Sequence, residues 1–297
     1  MDPIASHSLD FFSTAPGERT NAIARSWTNR LLTSLCVGLS LLTLVPLCSI
    51  IILVLKNGVP LLNWDCLTQL PPAAGMVGGG FGNAILGTAT MVFLGLAVAA
   101  PVGILAAVFV NEYSPHSRFS HTVRFVAKLL TGIPSIICGV FAFAVVVLQT
   151  GTFSAYAGGA ALAVLMLPTI LLTSEQALRD VPATYREASL GLGATRFQTI
   201  SRIVLPNAMP AIMTGIMLAV ARAAGETAPL IFTALFSQFW AASLSEPTAS
   251  LSVLIFNFST VPFPHQIQMA WTASLVLVAF VTLANILAQT AFSPKHK

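Results

Sequence analysis

The sequence predicts an all-α integral membrane protein with six transmembrane helices, and three observations carry that prediction. Hydrophobic residues make up 56% of the 297 and charged residues only 8%, against about 25% in a soluble domain. The mean hydropathy is +0.84. Charges are absent from long intervals, Leu31 to Leu55, Cys66 to Asn111, Leu129 to Ser174 and Pro247 to Pro294. Each exceeds the roughly 20 apolar residues that cross a bilayer. The longer intervals hold two spans, or a span and an outer loop. The six helices fall near 31–55, 84–110, 129–149, 154–174, 208–236 and 268–291.

Residues 1–30 are polar and rich in Ser, Thr and Asn, and read as a loose cytoplasmic tail. The first span has no small-residue cleavage site and reads as an anchor rather than a signal peptide. Segment 56–83 is an outer loop ending in Gly78-Gly79-Gly80-Phe81-Gly82. No strand precedes these glycines and no Lys-Ser/Thr follows, so they form a flexible entry to the second span rather than a phosphate-binding loop. The inner segment 111–128 is basic; its His116 and His121 are five apart, which misses the spacing of a helical metal pair. Cys36, Cys48 and Cys138 lie in spans and Cys66 in the outer loop, with no CxxC pattern, so they read as small packing residues. Thr131-Gly132-Ile133-Pro134-Ser135 opens the third span, and Pro101, Pro168 and Pro229 interrupt the second, fourth and fifth. Either these prolines kink helices for packing or their freed carbonyls line a path. Small residues such as Gly158-Gly159-Ala160-Ala161 favour close helix contact, hence one packed bundle. Of 14 basic residues only Lys56 falls outside and Arg222 within a span, so the N-terminus is placed inside and the net charge of +4 reflects topology rather than nucleic-acid binding.

The inner loop 175–206 is the most polar interval between two spans. Pro182 starts a short helix to about Leu190, with Tyr185, Ala188, Ser189 and Leu192 on one face and Arg186 and Glu187 to its side. Gly191 and Gly193 end it. A second helix runs from about Thr195 to Val204 and is closed by Pro206, with Phe197, Ile200, Ile203 and Val204 apolar. An amphipathic pair lying on anionic lipid is one reading of this loop. Its pattern, Glu187-Ala188-Ser189, then Gly193, then Ile203-Val204-Leu205-Pro206, supplies another. It resembles the EAA loop of ABC importer permeases, with Ser189 in place of the second alanine. The resemblance implies a type I importer permease fold in which this loop docks on an ATP-hydrolysing subunit. The coupling residues would be Glu187, Ala188, Ser189 and Gly193, with Arg186 beside them serving docking.

Arg222 and Glu226 lie about midway along the fifth hydrophobic segment, four apart and so on one helix face. One reading is an ion pair that makes burial tolerable; the other is a polar point on a permeation path, since guanidinium geometry suits an oxyanion. The surrounding Ala221-Arg222-Ala223-Ala224-Gly225-Glu226-Thr227-Ala228-Pro229-Leu230 is similar to the fifth-span motif of PstA-type permeases of phosphate importers. Asn111-Glu112-Tyr113, Gly132-Ile133-Pro134-Ser135-Ile136 and Phe236-Ser237-Gln238-Phe239-Trp240 extend the resemblance from the second span almost to the C-terminus. It implies a permease subunit for inorganic phosphate, with Arg222 and Glu226 on the substrate path. The implied partners are a homologous second permease (PstC-type), two ATP-binding subunits (PstB-type), a periplasmic or external phosphate-binding protein (PstS-type) and membrane lipid, without nucleic acid, cofactor or metal. It places the chain in the bacterial inner membrane with both termini cytoplasmic, as a tail (1–30), a permease domain (31–291) and a second tail (292–297). Another oxyanion such as molybdate, sulfate or phosphonate is the nearest alternative cargo. An ion-coupled carrier using Glu226 is a further alternative. An intramembrane enzyme would need a second catalytic group that the spans lack. No Walker A motif is present, so ATP hydrolysis would belong to a partner.

Overall fold

The computed structural model describes residues 16–292, which divide between Leu53 and Val54 into two compact units. In the first, α1 (Pro16–Gly58) is one helix of 43 residues, and its side chains from Leu31 to Leu53 are largely exposed, an apolar surface suited to lipid. The helix begins well before the first span. Pro16 suits a first turn, Glu18 favours an N-terminus, and Ala22, Ala24 and Arg25 are good helix formers, so residues 16–30 are helical rather than loose. Residues 1–15 and 293–297 of the expected tails lie outside the described residues.

The second unit opens with α2 (Trp64–Thr68), capped where the Asn63 side chain accepts from the Cys66 amide at 2.8 Å. A glycine-rich turn leads to α3 (Gly82–Val108), which ends in a π-helical turn, Phe109–Tyr113. The inner segment forms α4 (Arg118–Gly132). Next come α5 (Ser135–Ala142), a π turn and α6 (Leu148–Thr150), then α7 (Ala155–Arg179). The polar loop supplies α8 (Ala183–Gly191) and α9 (Arg196–Thr199), and a π turn at Ile200–Val204 leads into α10 (Leu205–Ala224). Three helices complete the unit: α11 (Ala228–Thr233), α12 (Leu251–Ser259) and α13 (Pro264–Phe292). By length and composition five helices can cross a membrane, or six if the bent pair 118–132 and 135–150 counts as one span.

Helix α7 is the hub, packed against α3, α4, α5 and α10. Met91, Leu162, Met166, Ile170, Leu178 and Ile212 are fully buried along these seams. Glycines set the spacing. A Cβ on Gly159 would lie 2.7 Å from Leu94 Cβ, one on Gly103 2.9 Å from Ile170 Cγ2, and one on Gly215 2.2 Å from Thr173 Oγ1. Small residues therefore let α3, α7 and α10 approach closely, which is how helices associate when lipid offers no hydrophobic contrast.

Three expected boundaries change. The third span does not begin at 129: Ile133 and Pro134 are extended, and α4 and α5 meet at 106°. Proline at 134 biases the preceding residue away from helix, which breaks the run there. The second helix of the polar loop does not stop at Pro206 but continues as one helix from Arg196 to Ala224. Pro206 closely follows the π turn Ile200–Val204, where the helical ladder is already irregular, and Asn207 Nδ2 donates to the Ile203 carbonyl at 2.7 Å. The fifth hydrophobic segment, in contrast, is broken at Gly225–Thr227, with Pro229 at the start of α11.

Candidate functional site

The polar loop is built on internal bonds that leave one surface free. Thr195 caps α9: its hydroxyl accepts from the Gln198 amide at 3.3 Å, and Gln198 Oε1 accepts from the Thr195 amide at 2.9 Å. Gly193 turns the chain between the helices at φ +85°, a conformation glycine adopts without strain. Ser189 is buried and its hydroxyl lies 2.9 Å from Thr199 Oγ1, which ties α8 to the helix begun by α9. Glu187 and Ala188 are exposed. Around them stand Tyr185, Leu190, Leu192 and Phe197, exposed by 51%, 51%, 90% and 69%, an apolar surface with a carboxylate in it. The expected common face of Tyr185, Ala188, Ser189 and Leu192 divides here, because Ser189 points into the fold and the other three out.

Arg186 also turns inward. Its Nε and Nη2 donate to the two oxygens of Glu112 at 3.1 and 2.7 Å, a bidentate pair. Its Nη1 and Nη2 further donate to the carbonyls of Val181 and Leu178, at 2.7 and 2.8 Å, where α7 ends. Nearby, Arg196 donates to the Glu112 carbonyl and lies 5.4 Å from the Tyr113 ring centre. A second cluster joins Glu175, at the end of α7, to Arg124 Nε at 2.6 Å and Arg179 Nη2 at 2.5 Å. Arg124 also donates to the Pro115 and Val110 carbonyls, both at 3.0 Å. Glu112 and Glu175 are both buried. Sequence reasoning places Glu112 only as part of the Asn111-Glu112-Tyr113 motif and Glu175 only as the start of the polar loop, with no role for either, although each is the acid that ends a long uncharged interval. Such a charge, placed where a span meets the inner loops, is the signal for a buried partner.

The fifth span presents the other candidate. Arg222 stands in the last turn of α10, and Glu226 lies past the helix end at Gly225. The pair is thus not on one continuous helix face, yet the break brings Glu226 Oε1 to 3.6 Å from Arg222 Nε. The backbone of the break is satisfied locally: Gly225 and Glu226 amides donate to the Arg222 and Ala223 carbonyls, and Ser252 Oγ of α12 donates to the Glu226 carbonyl at 2.7 Å. Glu226 is 15% exposed and Arg222 is 49% exposed. Among the described residues no protein group accepts a hydrogen bond from Arg222, whereas Arg124 and Arg186 direct theirs into the protein. A half-exposed guanidinium on a hydrophobic segment therefore keeps its N–H donors free of protein hydrogen bonds, with only Nε turned towards Glu226. On the opposite side of the break, a Cβ on Gly139 of α5 would lie 2.5 Å from Pro229 Cα, so α5 and α11 are in close backbone contact. His116 and His121 are exposed and stand in no metal-like cluster among the described residues.

Long apolar helices, a polar inner loop and an arginine–glutamate pair on a hydrophobic segment describe a multi-pass membrane protein. Residues 99–295 match the binding-protein-dependent transport system inner membrane component family, and the chain belongs to that family of multi-pass inner-membrane proteins. It is 37% identical over 271 residues to the phosphate transport system permease protein PstA of Yersinia pestis, covering 91% of this chain and 92% of that one. It is 36% identical over 281 residues to the PstA protein of Haemophilus influenzae, covering 93% and 99%. A bacterial alginate ABC transporter, solved with an alginate-bound periplasmic protein, shares the fold at a TM-score of 0.61 and 19% identity, over 92% of this chain and 98% of that one.

Proposed function

We propose that this chain is the permease subunit of an ATP-driven importer of inorganic phosphate, in which Arg222 and Glu226 form a polar point on the substrate path. The observation that carries the proposal is the arginine with uncommitted donors on a hydrophobic helix. Insertion of such a side chain costs about 2.5–3.5 kcal/mol at a helix centre, so it is retained where it meets a path or a partner. A guanidinium offers two parallel N–H groups to a tetrahedral oxyanion. Glu226 holds Arg222 in place while unoccupied, and can accept a hydrogen bond only from an oxyanion that still carries a proton. Phosphate does so near neutral pH, whereas sulfate does not. The broken backbone at Gly225–Thr227 is the kind of irregularity that membrane helices keep where they border a cavity.

The chain works with partners: a homologous second permease, two ATP-hydrolysing subunits and an external phosphate-binding protein. Its termini lie on the cytoplasmic side with the basic inner loops. The exposed surface of Glu187, Ala188, Leu190 and Leu192, turned at Gly193, docks on an ATPase subunit, while buried Ser189 and inward Arg186 hold it in shape. Helix Arg196–Ala224 then joins the docked loop to Arg222 without interruption, over about 40 Å at 1.5 Å per residue. Conformational change driven by the partners moves the path; no bond is made or broken in this subunit. Uptake of labelled phosphate by cells with Arg222→Ala and Arg222→Lys chains at equal membrane levels tests the reading. Normal uptake by both would overturn it.

A further inference from the structure

We infer that Glu112 is a positioning residue for energy coupling: it receives the motion of α8 through Arg186 and passes it to α3. The inference rests on the importer reading above and extends it to the route of transmission. Helix Arg196–Ala224 supplies one direct arm from the loop. Helix α8 has no such continuity with a span, because Leu192 to Thr195 separate it from α9 and Asp180 to Pro182 from α7. Its strongest attachment to a span other than its neighbours is Arg186, which reaches Glu112, 74 residues earlier in the chain, with two hydrogen bonds at 2.7 and 3.1 Å.

The receiving end is built as a joint. Glu112 lies in the π turn 109–113, a local widening that leaves carbonyls outside the helical ladder. Two of these are taken by arginines of other elements: Val110 by Arg124 of α4 and Glu112 by Arg196 of α9. The Glu112 carboxylate also accepts from Asn111 Nδ2 at 2.8 Å. Three separate inner elements, α4, α8 and α9, therefore grip the same turn of α3. Arg186 meanwhile bonds the Leu178 carbonyl in the last turn of α7 and the Val181 carbonyl just beyond it, so movement of α8 carries load to both α3 and α7. A buried carboxylate with bidentate geometry transmits displacement rather than yielding to water, since Glu112 without Arg186 would be an uncompensated buried charge.

The test uses the complete importer complex in proteoliposomes with its binding protein and phosphate. Glu112→Gln keeps the shape of the side chain and removes its charge; Arg186→Lys keeps the charge and removes the fork. We expect each to lower phosphate-stimulated ATP hydrolysis and uptake by about tenfold, the double variant to be no worse than either single, and the ATPase subunits to copurify as with the wild type. Hydrogen exchange on the unmodified complex gives a reading that does not depend on any variant folding. Addition of nucleotide should alter amide protection at 109–114 together with 183–191. An active wild type with fully active variants would overturn the inference, as would loss of ATPase copurification in Arg186→Lys alone, or exchange changes confined to α8. A wild-type complex that phosphate fails to stimulate would instead count against the importer reading.

Discussion

Replacing Arg222 with alanine separates a structural ion pair from a transport site, because the two roles have different magnitudes. The Arg222–Glu226 contact is 3.6 Å long, beyond ordinary hydrogen-bond distance, and the arginine side chain is 49% exposed in this chain. A pair so open is worth about 0–1 kcal/mol after screening. Its removal should therefore shift the thermal midpoint of purified protein by less than about 4 °C. The transport role demands more. Charge-assisted hydrogen bonds are worth about 1.5–3 kcal/mol each, and two to one oxyanion place the loss at about 3 kcal/mol or more. At limiting phosphate that is roughly a hundredfold in rate. Arg222→Lys retains the charge without the fork and should fall between, about tenfold below wild type. The assay is initial uptake of labelled phosphate, normalised to permease in the membrane and paired with thermal unfolding in detergent. A large fall in melting temperature with near-normal uptake per molecule would refute the reasoning and return the pair to a structural role.

Ser189→Ala should be tolerated, with a stability cost of about 1 kcal/mol and uptake near normal, because Thr199 still donates to the Thr195 carbonyl at 3.1 Å when its buried partner is lost. Thermal unfolding and uptake check it together. Gly139→Ala should lower stability by about 1–3 kcal/mol, since the new methyl would meet Pro229 Cα at 2.5 Å on a backbone that cannot step aside; a drop in melting temperature and in yield is the measure. Cys66 should label slowly with a maleimide. Burial pushes its thiol pKa up, the nearby Asp65 carboxylate adds to the rise against the Asn63 bond, and the thiol donates to the Leu61 carbonyl at 2.9 Å. Because the raised pKa favours the neutral form, the stability it reflects is held below the usual thiol range and lost as pH climbs through it. Labelling of the folded protein should accordingly quicken only at pH above that range, as mass spectrometry of the modified peptide would show.

The spans were legible because twenty apolar residues without charge have few other uses, and the glycines expected to bring helices together do so at Gly103, Gly159 and Gly215. The sequence of the polar loop also conveyed its two helices, since Pro182, Gly193 and Thr195 act on the backbone within a few residues of themselves. What escaped was set by partners distant in the chain. Arg186 reads in the sequence as a docking residue beside Glu187, and only the fold shows that Glu112 draws it inward. Pro206 looked like a stop, but a proline in the first turn after a π segment is readily absorbed. Arg222 and Glu226 were correctly paired for a partly wrong reason: the helix that should have aligned them ends between them, and the turn at Gly225 does the work. Helix α12 was hidden because it is short and buried among α3, α11 and α13, within an interval whose hydropathy suits a span or a loop equally. The amphipathic α4 was read as a polar linker plus the start of a span, since periodicity reports a face and not the direction of the next helix.

The most direct test of the whole account is ATP hydrolysis by the reconstituted complex, measured with its binding protein and, in turn, phosphate, sulfate or molybdate. Phosphate should stimulate hydrolysis, the other two should leave it near the basal rate, and Arg222→Ala should abolish the difference. Stimulation by sulfate or molybdate but not by phosphate would contradict the assigned cargo.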